Sequence, residues 1–428
     1  MSPLSCPAAT AASRQRGAGL FLLAVFLFAI FASLAAIGMS TRATQVQRQR
    51  ITERALAHAR ESLVAYAAER PIDAEVGPGY LPCPDTDDDG WAEATCGSLT
   101  GHLGQADRLG RLPWKTLGLP DLRDGSGERL WYAVSSKHKG LLNCAASRDC
   151  RDLTPVTGLG TITLRDTRGR LIHDGTLSDI AHAADGGAVA IVIAPGPPIQ
   201  RADGREQRRA CTASECDATG RCTADPPQRA ARCDPLNYLD VAPASAGGED
   251  NAAFVDRNDA AARWRNRDGF IQGPIAAADG MPSVNDRIVA VGYADLMPRV
   301  MNRVALEASQ CLRLSSALPD PTPTCGNFAG HLEATGFPAT ACNLKAGEPA
   351  WWTAWKPFIV YARAAPAGLE VVDEQGRPLA THRRLALIAL QSPGQCPADR
   401  LTCAEDGCTR VATRPRGRDH PDAIISIP

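Results

Sequence analysis

The run Gly17 to Met39, GAGLFLLAVFLFAIFASLAAIGM, carries no charge over 23 residues. At helical rise it reaches roughly 35 Å, enough to cross a hydrocarbon core of about 30 Å. Beyond Thr41 the pattern changes. Apolar Ile51, Ala55, Ala59 and Leu63 recur every four residues, and Tyr66 or Ala67 continues the stripe. Arg50, Glu53, Arg54, Arg60 and Glu61 fill the intervening polar positions, as an amphipathic helix requires. Pro71 disfavours helical geometry at Arg70 and ends the run. The pattern predicts one helix over 18–70, roughly 80 Å long, with a transmembrane half and an amphipathic half. A cleaved secretory signal is the alternative, although its apolar stretch is ordinarily only about 7–15 residues.

Strand patterns follow twice in the same order. Trp131 to Ser135 is aromatic and β-branched. Thr161 to Arg165 and Arg170 to His173 flank an Asp166-Thr167-Arg168-Gly169 turn and predict a hairpin. Ala188 to Ala194 is an apolar strand closed by Pro195-Gly196. Near the C-terminus, Trp355 to Tyr361, a hairpin turning at Asp373-Glu374-Gln375-Gly376-Arg377, and Leu385 to Leu390 with Ser392-Pro393-Gly394 repeat that order. A second amphipathic helix, Ala294 to Leu318, precedes the second set. The expected organisation is therefore a helix over 18–70, a first module over 71–198, a Cys-rich excursion over 199–284 and a second helix-plus-sheet module over 285–428.

Charge narrows the partners. Lys and Arg number 46 against 47 Asp and Glu, so no excess is left to neutralise phosphates and nucleic acid is not an expected partner. The 15 Cys exceed what a reduced enzyme without metal carries. Cys6 precedes the apolar run and an even 14 follow it, which favours disulfides in an oxidising space. Arg42, Arg48, Arg50 and Arg54 beyond the run, against Arg14 and Arg16 before it, favour the opposite orientation. The cysteines decide: the expectation is a single-pass protein of a bacterial inner membrane, its head in the periplasm or at the cell surface. Cys83 with Cys96, Cys144 with Cys150 and Cys403 with Cys408 are the expected local pairs.

Arg14-Gln15-Arg16-Gly17 followed by Ala18-Gly19-Leu20-Phe21-Leu22 resembles a type IV prepilin leader. Asp121 to Tyr132 resembles the Asp-x-x-Gly-x-x-x-x-Tyr segment at which major pseudopilins enter their sheet. The resemblance covers about residues 14–135. It implies cleavage of the 1–17 leader by a prepilin peptidase between Gly17 and Ala18. It also implies an α+β fold: a long transmembrane and amphipathic helix bearing a pilin-like antiparallel-sheet head, here duplicated. Most relatives carry Glu at the fifth mature position, where this chain has Leu22, so the resemblance is to atypical minor members placed at a filament tip. The implied function is that of a minor pilin or pseudopilin in a type IV pilus or type II secretion filament. Its partners would be other pilin-like subunits through the N-terminal helix, the peptidase and the inner membrane. The alternative is a membrane-tethered binding module for a glycan or secreted client that does not assemble.

Candidate chemistry is sparse. Asp85-Thr86-Asp87-Asp88-Asp89-Gly90 places carboxylates at positions 1, 3 and 5 and Gly at 6 of a calcium loop. Position 12 is Cys96, so the ligand set is Asp85, Asp87 and Asp89 with the Trp91 carbonyl and Glu93, and the expected cofactor is a structural Ca²⁺. A solvated acidic turn is the competing reading. Cys211, Cys216 and Cys222 form no Cys-x-x-Cys pair, which weighs against zinc. No nucleophile elbow, zinc-protease motif or phosphate loop occurs, and an enzyme is not expected.

Overall fold

The structure is a computed structural model. It describes residues 16–69, 77–94, 96, 108–139, 153–177, 184–200, 206–207, 209, 235, 238–239, 251–253, 269–276, 282–314, 329–331, 354–373, 375–382, 385–389, 401–404, 407–412 and 423–427. Of these, 16–20, 29 and 31–42 are described as helical backbone only. Met1 to Gln15, Cys144 and Cys150 lie outside the described residues, as does most of the expected Cys-rich excursion.

Helix α1 spans Arg16–Glu69 and stops just before Arg70-Pro71. The chain divides into two units, residues 1–51 and 52–428, with the boundary inside α1. In the second unit the strands are β1 (Leu109–Arg111), β2 (Trp131–Val134), β3 (Thr163–Arg165), β4 (Leu171–His173) and β5 (Ala190–Ala194). Next come β6 (Gly269–Ile271), β7 (Ile275–Ala276), β8 (Pro282–Val284), β9 (Arg287–Val291) and helix α2 (Tyr293–Leu314). The remainder is β10 (Ala329–His331), β11 (Ile359–Arg363), β12 (Leu369–Val372), β13 (Pro378–His382), β14 (Leu385–Ala389), β15 (Leu401–Ala404), β16 (Gly407–Ala412) and β17 (Ala423–Ile427).

Two four-stranded sheets have the orders β1-β2-β5-β9 and β10-β11-β14-β17, with every neighbouring pair antiparallel. In each, a hairpin separates the second strand from the third: β3-β4 in one, β12-β13 in the other. The first strand of each hairpin pairs in parallel with a later strand, β3 with β6 and β12 with β16. The hairpin turns share one hydrogen-bond pattern. Asp166 Oδ1 accepts from the amides of Arg168 and Arg170, and Asp373 Oδ1 from those of Gln375 and Arg377. Gly169 and Gly376 sit at φ 77° and 78°, where any other residue is strained.

Alternation along the strands divides the first sheet between two cores. Tyr132, Val134, Ala190, Val192, Ala194 and Val291 face one core together with Ala55, Leu56, Ala59, Leu63, Val64 and Ala67 of α1. Leu296, Met297, Val300, Met301, Val304, Ala305 and Ala308 of α2 join the same core. Trp131, Ala133, Ile191, Ile193 and Ile288 face the other, against Leu164 of β3, Phe270 of β6 and the Tyr238-Leu239 segment. The uninterrupted apolar run in β5 follows, since both faces of that strand are buried. Ala at 55, 59 and 67 lets α1 approach the sheet closely, and Leu63, with no exposed surface, fills the gap. Leu63→Ala is expected to cost about 2–5 kcal/mol of unfolding free energy by chemical denaturation. A loss below about 1 kcal/mol would contradict this packing.

Two ion pairs tie α1 to α2: Arg60 to Asp295 at 2.5 Å and Arg299 to Glu61 at 2.6 Å. At the start of α2 the Asp295 carboxylate accepts the Gly292 amide at 2.8 Å, satisfying a donor the helix leaves open.

The structure corrects the expected fold class. Among the described residues no helix is long and apolar enough to cross a membrane. The sheets also depart from a plain pilin-like antiparallel head, because two parallel pairings, β3 with β6 and β12 with β16, make the smaller sheets mixed. The same finding about membrane-crossing helices removes the basis for the expected single-pass inner-membrane localisation with a periplasmic head. Within 199–284, β6 and Tyr238-Leu239 pack into the second core of the first sheet.

Candidate functional site

The acidic loop is held against the first sheet by contacts on every side. A Cys83–Cys96 disulfide closes it, with Cα atoms 5.6 Å apart. The Tyr132 hydroxyl donates to the Pro82 carbonyl at 3.0 Å, the Leu81 amide to the His138 carbonyl at 2.8 Å, and Lys139 Nζ to the Cys96 carbonyl at 3.1 Å. Asp85 forms an antiparallel bridge with Arg111 of β1. At the loop's centre Asp88 takes φ 63° and Gly90 φ 91°. A Cβ on Gly90 would lie 2.7 Å from Trp114 Nε1, so the bend requires Gly on two counts. Gly90→Ala is accordingly expected to cost roughly 1–3 kcal/mol of stability in thermal or denaturant unfolding. An unchanged midpoint would contradict that geometry.

Asp85, Asp87 and Asp89 each direct a carboxylate oxygen into one cluster, all within 4.8 Å of one another. Asp85 is 1% exposed, Asp87 half-buried and Asp89 exposed. Burial pushes the Asp85 carboxyl up to about 7, against the Gly90 and Asp88 amides that pull it down and with the Asp88 and Asp87 charges adding to the rise. Asp88 is drawn off into an ion pair with Arg129 at 2.9 Å. Of the remaining expected ligands, Glu93 Oε1 accepts from the Thr86 amide at 3.1 Å and hydroxyl at 2.5 Å. The Trp91 side chain is 56% exposed, and its amide donates to Asp89 Oδ1 at 2.7 Å. Cys403 and Cys408 form the other disulfide among the described residues, across the β15-β16 pair.

His138, one of eight scattered His to which the sequence assigns no catalytic role, takes an unexpected place. It is fully buried, neither ring nitrogen has a well-formed hydrogen bond among the described residues, and burial together with Lys137 pushes its pKa down to about 3. Nothing in Ser-Ser-Lys-His-Lys signals burial, since every residue there is polar. His173 Nδ1 lies 3.0 Å from the Gly186 carbonyl.

The first unit contains a different feature. Gly17 and Ala18, the expected processing point, lie in the first turn of α1. Just beyond them Phe21 is 70% exposed, Phe26 65% and Phe28 76%, with Leu22, Leu23, Val25, Leu27 and Ile30 also exposed. From Thr52 the same helix buries its apolar side chains, Leu56 and Leu63 among them. No family model matches the chain, and neither a curated protein nor a solved structure matches it.

Proposed function

We propose that the protein is a structural subunit that assembles with pilin-like subunits through the N-terminal half of α1, in the manner of a minor pilin or pseudopilin. The exposed apolar stretch Phe21 to Ile30 carries this reading. Burying a Phe, Leu, Ile or Val side chain is worth about 1.5–3 kcal/mol each, so eight such side chains on one short helical stretch favour a covered state strongly. The leader-like residues around Gly17 and Ala18 direct the choice of occupant: like helices, laid alongside after removal of residues 1–17. Leu22 in place of Glu favours an end position, since it offers no charge to fix the register on a neighbour.

Co-expression with a prepilin peptidase tests the reading. The mature chain is expected to begin at Ala18, and Gly17→Trp is expected to block cleavage. An intact Met1 terminus would overturn the proposed processing, and a monomeric mature chain would overturn assembly.

A further inference from the structure

We infer that Asp85, Asp87 and Asp89 form a binding site for one hard divalent cation, with calcium as the ion it fits best. A cluster of acidic side chains does not by itself make a site. Here a second observation stands beside the cluster: Asp85 is 1% exposed, and its Oδ1 has no hydrogen-bond partner among the described residues. A buried carboxylate oxygen without a donor is costly unless a cation meets it. The other oxygen of Asp85 accepts the Gly90 amide at 2.7 Å, which fixes the carboxylate plane and leaves Oδ1 for a cation.

The dimensions suit the ion. Calcium takes oxygen ligands at about 2.3–2.6 Å, so donors on opposite sides stand up to about 5 Å apart. The three donors here lie within 4.8 Å of one another. Magnesium demands near-octahedral donors at about 2.0–2.1 Å and gives up its waters reluctantly, so it is ordinarily held by one or two carboxylates and not by a set of three. The neighbouring cations leave the pocket to an ion. Arg129 is engaged by Asp88 and Asp121, and Lys115 Nζ donates to the Asp89 carbonyl, not to a carboxylate. The donor set also differs from that of a helix-loop-helix calcium site. Glu93 is committed to Thr86, so three carboxylates are supplemented by carbonyl oxygen and water. The bound ion would pin the disulfide-closed loop to β1 through the Asp85–Arg111 bridge.

The full-length chain, freed of metal with chelator, is titrated with CaCl₂ by calorimetry and with Tb³⁺ by luminescence excited through Trp91 and Trp114. One saturable site is expected, with Ca²⁺ displacing Tb³⁺ and Mg²⁺ doing so at least tenfold less effectively. Asp87→Asn and Asp89→Asn, both on partly or fully exposed side chains, are expected to weaken binding at least tenfold without lowering the metal-free unfolding midpoint. Asp166→Asn, at a distant acidic turn, is expected to leave binding unchanged. Absence of saturable binding would overturn the site, as would binding that survives both loop substitutions. Mg²⁺ competing as well as Ca²⁺ would overturn the assignment of calcium. None of these results bears on assembly through α1, which is read by different experiments.

Discussion

Replacing Leu23 and Phe26 together by Glu is expected to abolish assembly while leaving the unit beginning at Thr52 folded. Both side chains are exposed on α1, and neither belongs to the cores around the first sheet. Stability of the second unit should therefore change by less than about 0.5 kcal/mol, as for surface substitutions generally. Assembly should respond much more. A carboxylate carried into an apolar interface without a partner costs several kcal/mol, and two of them reduce association by orders of magnitude. Sedimentation of the mature chain with its co-expressed partner subunits, together with thermal unfolding, separates these effects. Retained assembly would remove Phe21 to Ile30 from the interface, and a collapsed unfolding midpoint would show that these side chains support the fold instead.

The second large effect is a pair of opposed pH dependences in metal-free protein. The Asp85 carboxyl lies near 7 in the folded state against 3.8 unfolded, so the folded chain binds more protons between those values. Stability from this group is present below pH 4 and is lost as pH rises to 7. His138 runs the other way: about 3 folded against 6.5 unfolded, so the unfolded chain binds more protons in that window. Its contribution is present above pH 6.5 and is lost as pH falls towards 3. Each is worth on the order of 4 kcal/mol across its range. The two offset one another between about pH 4 and 6.5, and single variants expose them. With chelator present, Asp85→Asn is expected to gain stability relative to the parent as pH rises from 4 to 7, and His138→Leu to flatten the acid limb. Denaturant midpoints at pH 4, 5.5 and 7 check both. Parallel curves for all three proteins would contradict the burial assigned to these groups.

What was legible in the sequence follows from how local each signal is. The spacing-four stripe marks the buried face of α1 at Ala55, Ala59, Leu63 and Ala67, because helical period alone sets that face. It begins one step too early, since Ile51 is 42% exposed. The Asp166 and Asp373 turns were equally readable, as an Asp side chain bonding its own loop followed by Gly at positive φ is contained within five residues. Parallel pairing of β3 with β6 was not readable, because the partners are more than a hundred residues apart and neither strand carries a mark of the other. In the acidic loop the three clustered Asp were visible from spacing. The diversion of Asp88 to Arg129 and of Glu93 to Thr86 depends on side chains brought together only by folding. The apolar N-terminal run resembled a membrane span because hydropathy alone does not say what covers a helix, and among the described residues no helix is long and apolar enough to cross a membrane.

A photo-reactive amino acid placed at Phe26 of the processed chain in living cells tests assembly through α1 most directly. The account predicts cross-links from that position to the N-terminal helix of another pilin-like subunit, and none to that helix from an exposed control position such as Leu171 of β4. Cross-links only within the chain itself, or none above background while the protein is folded and processed, would contradict it.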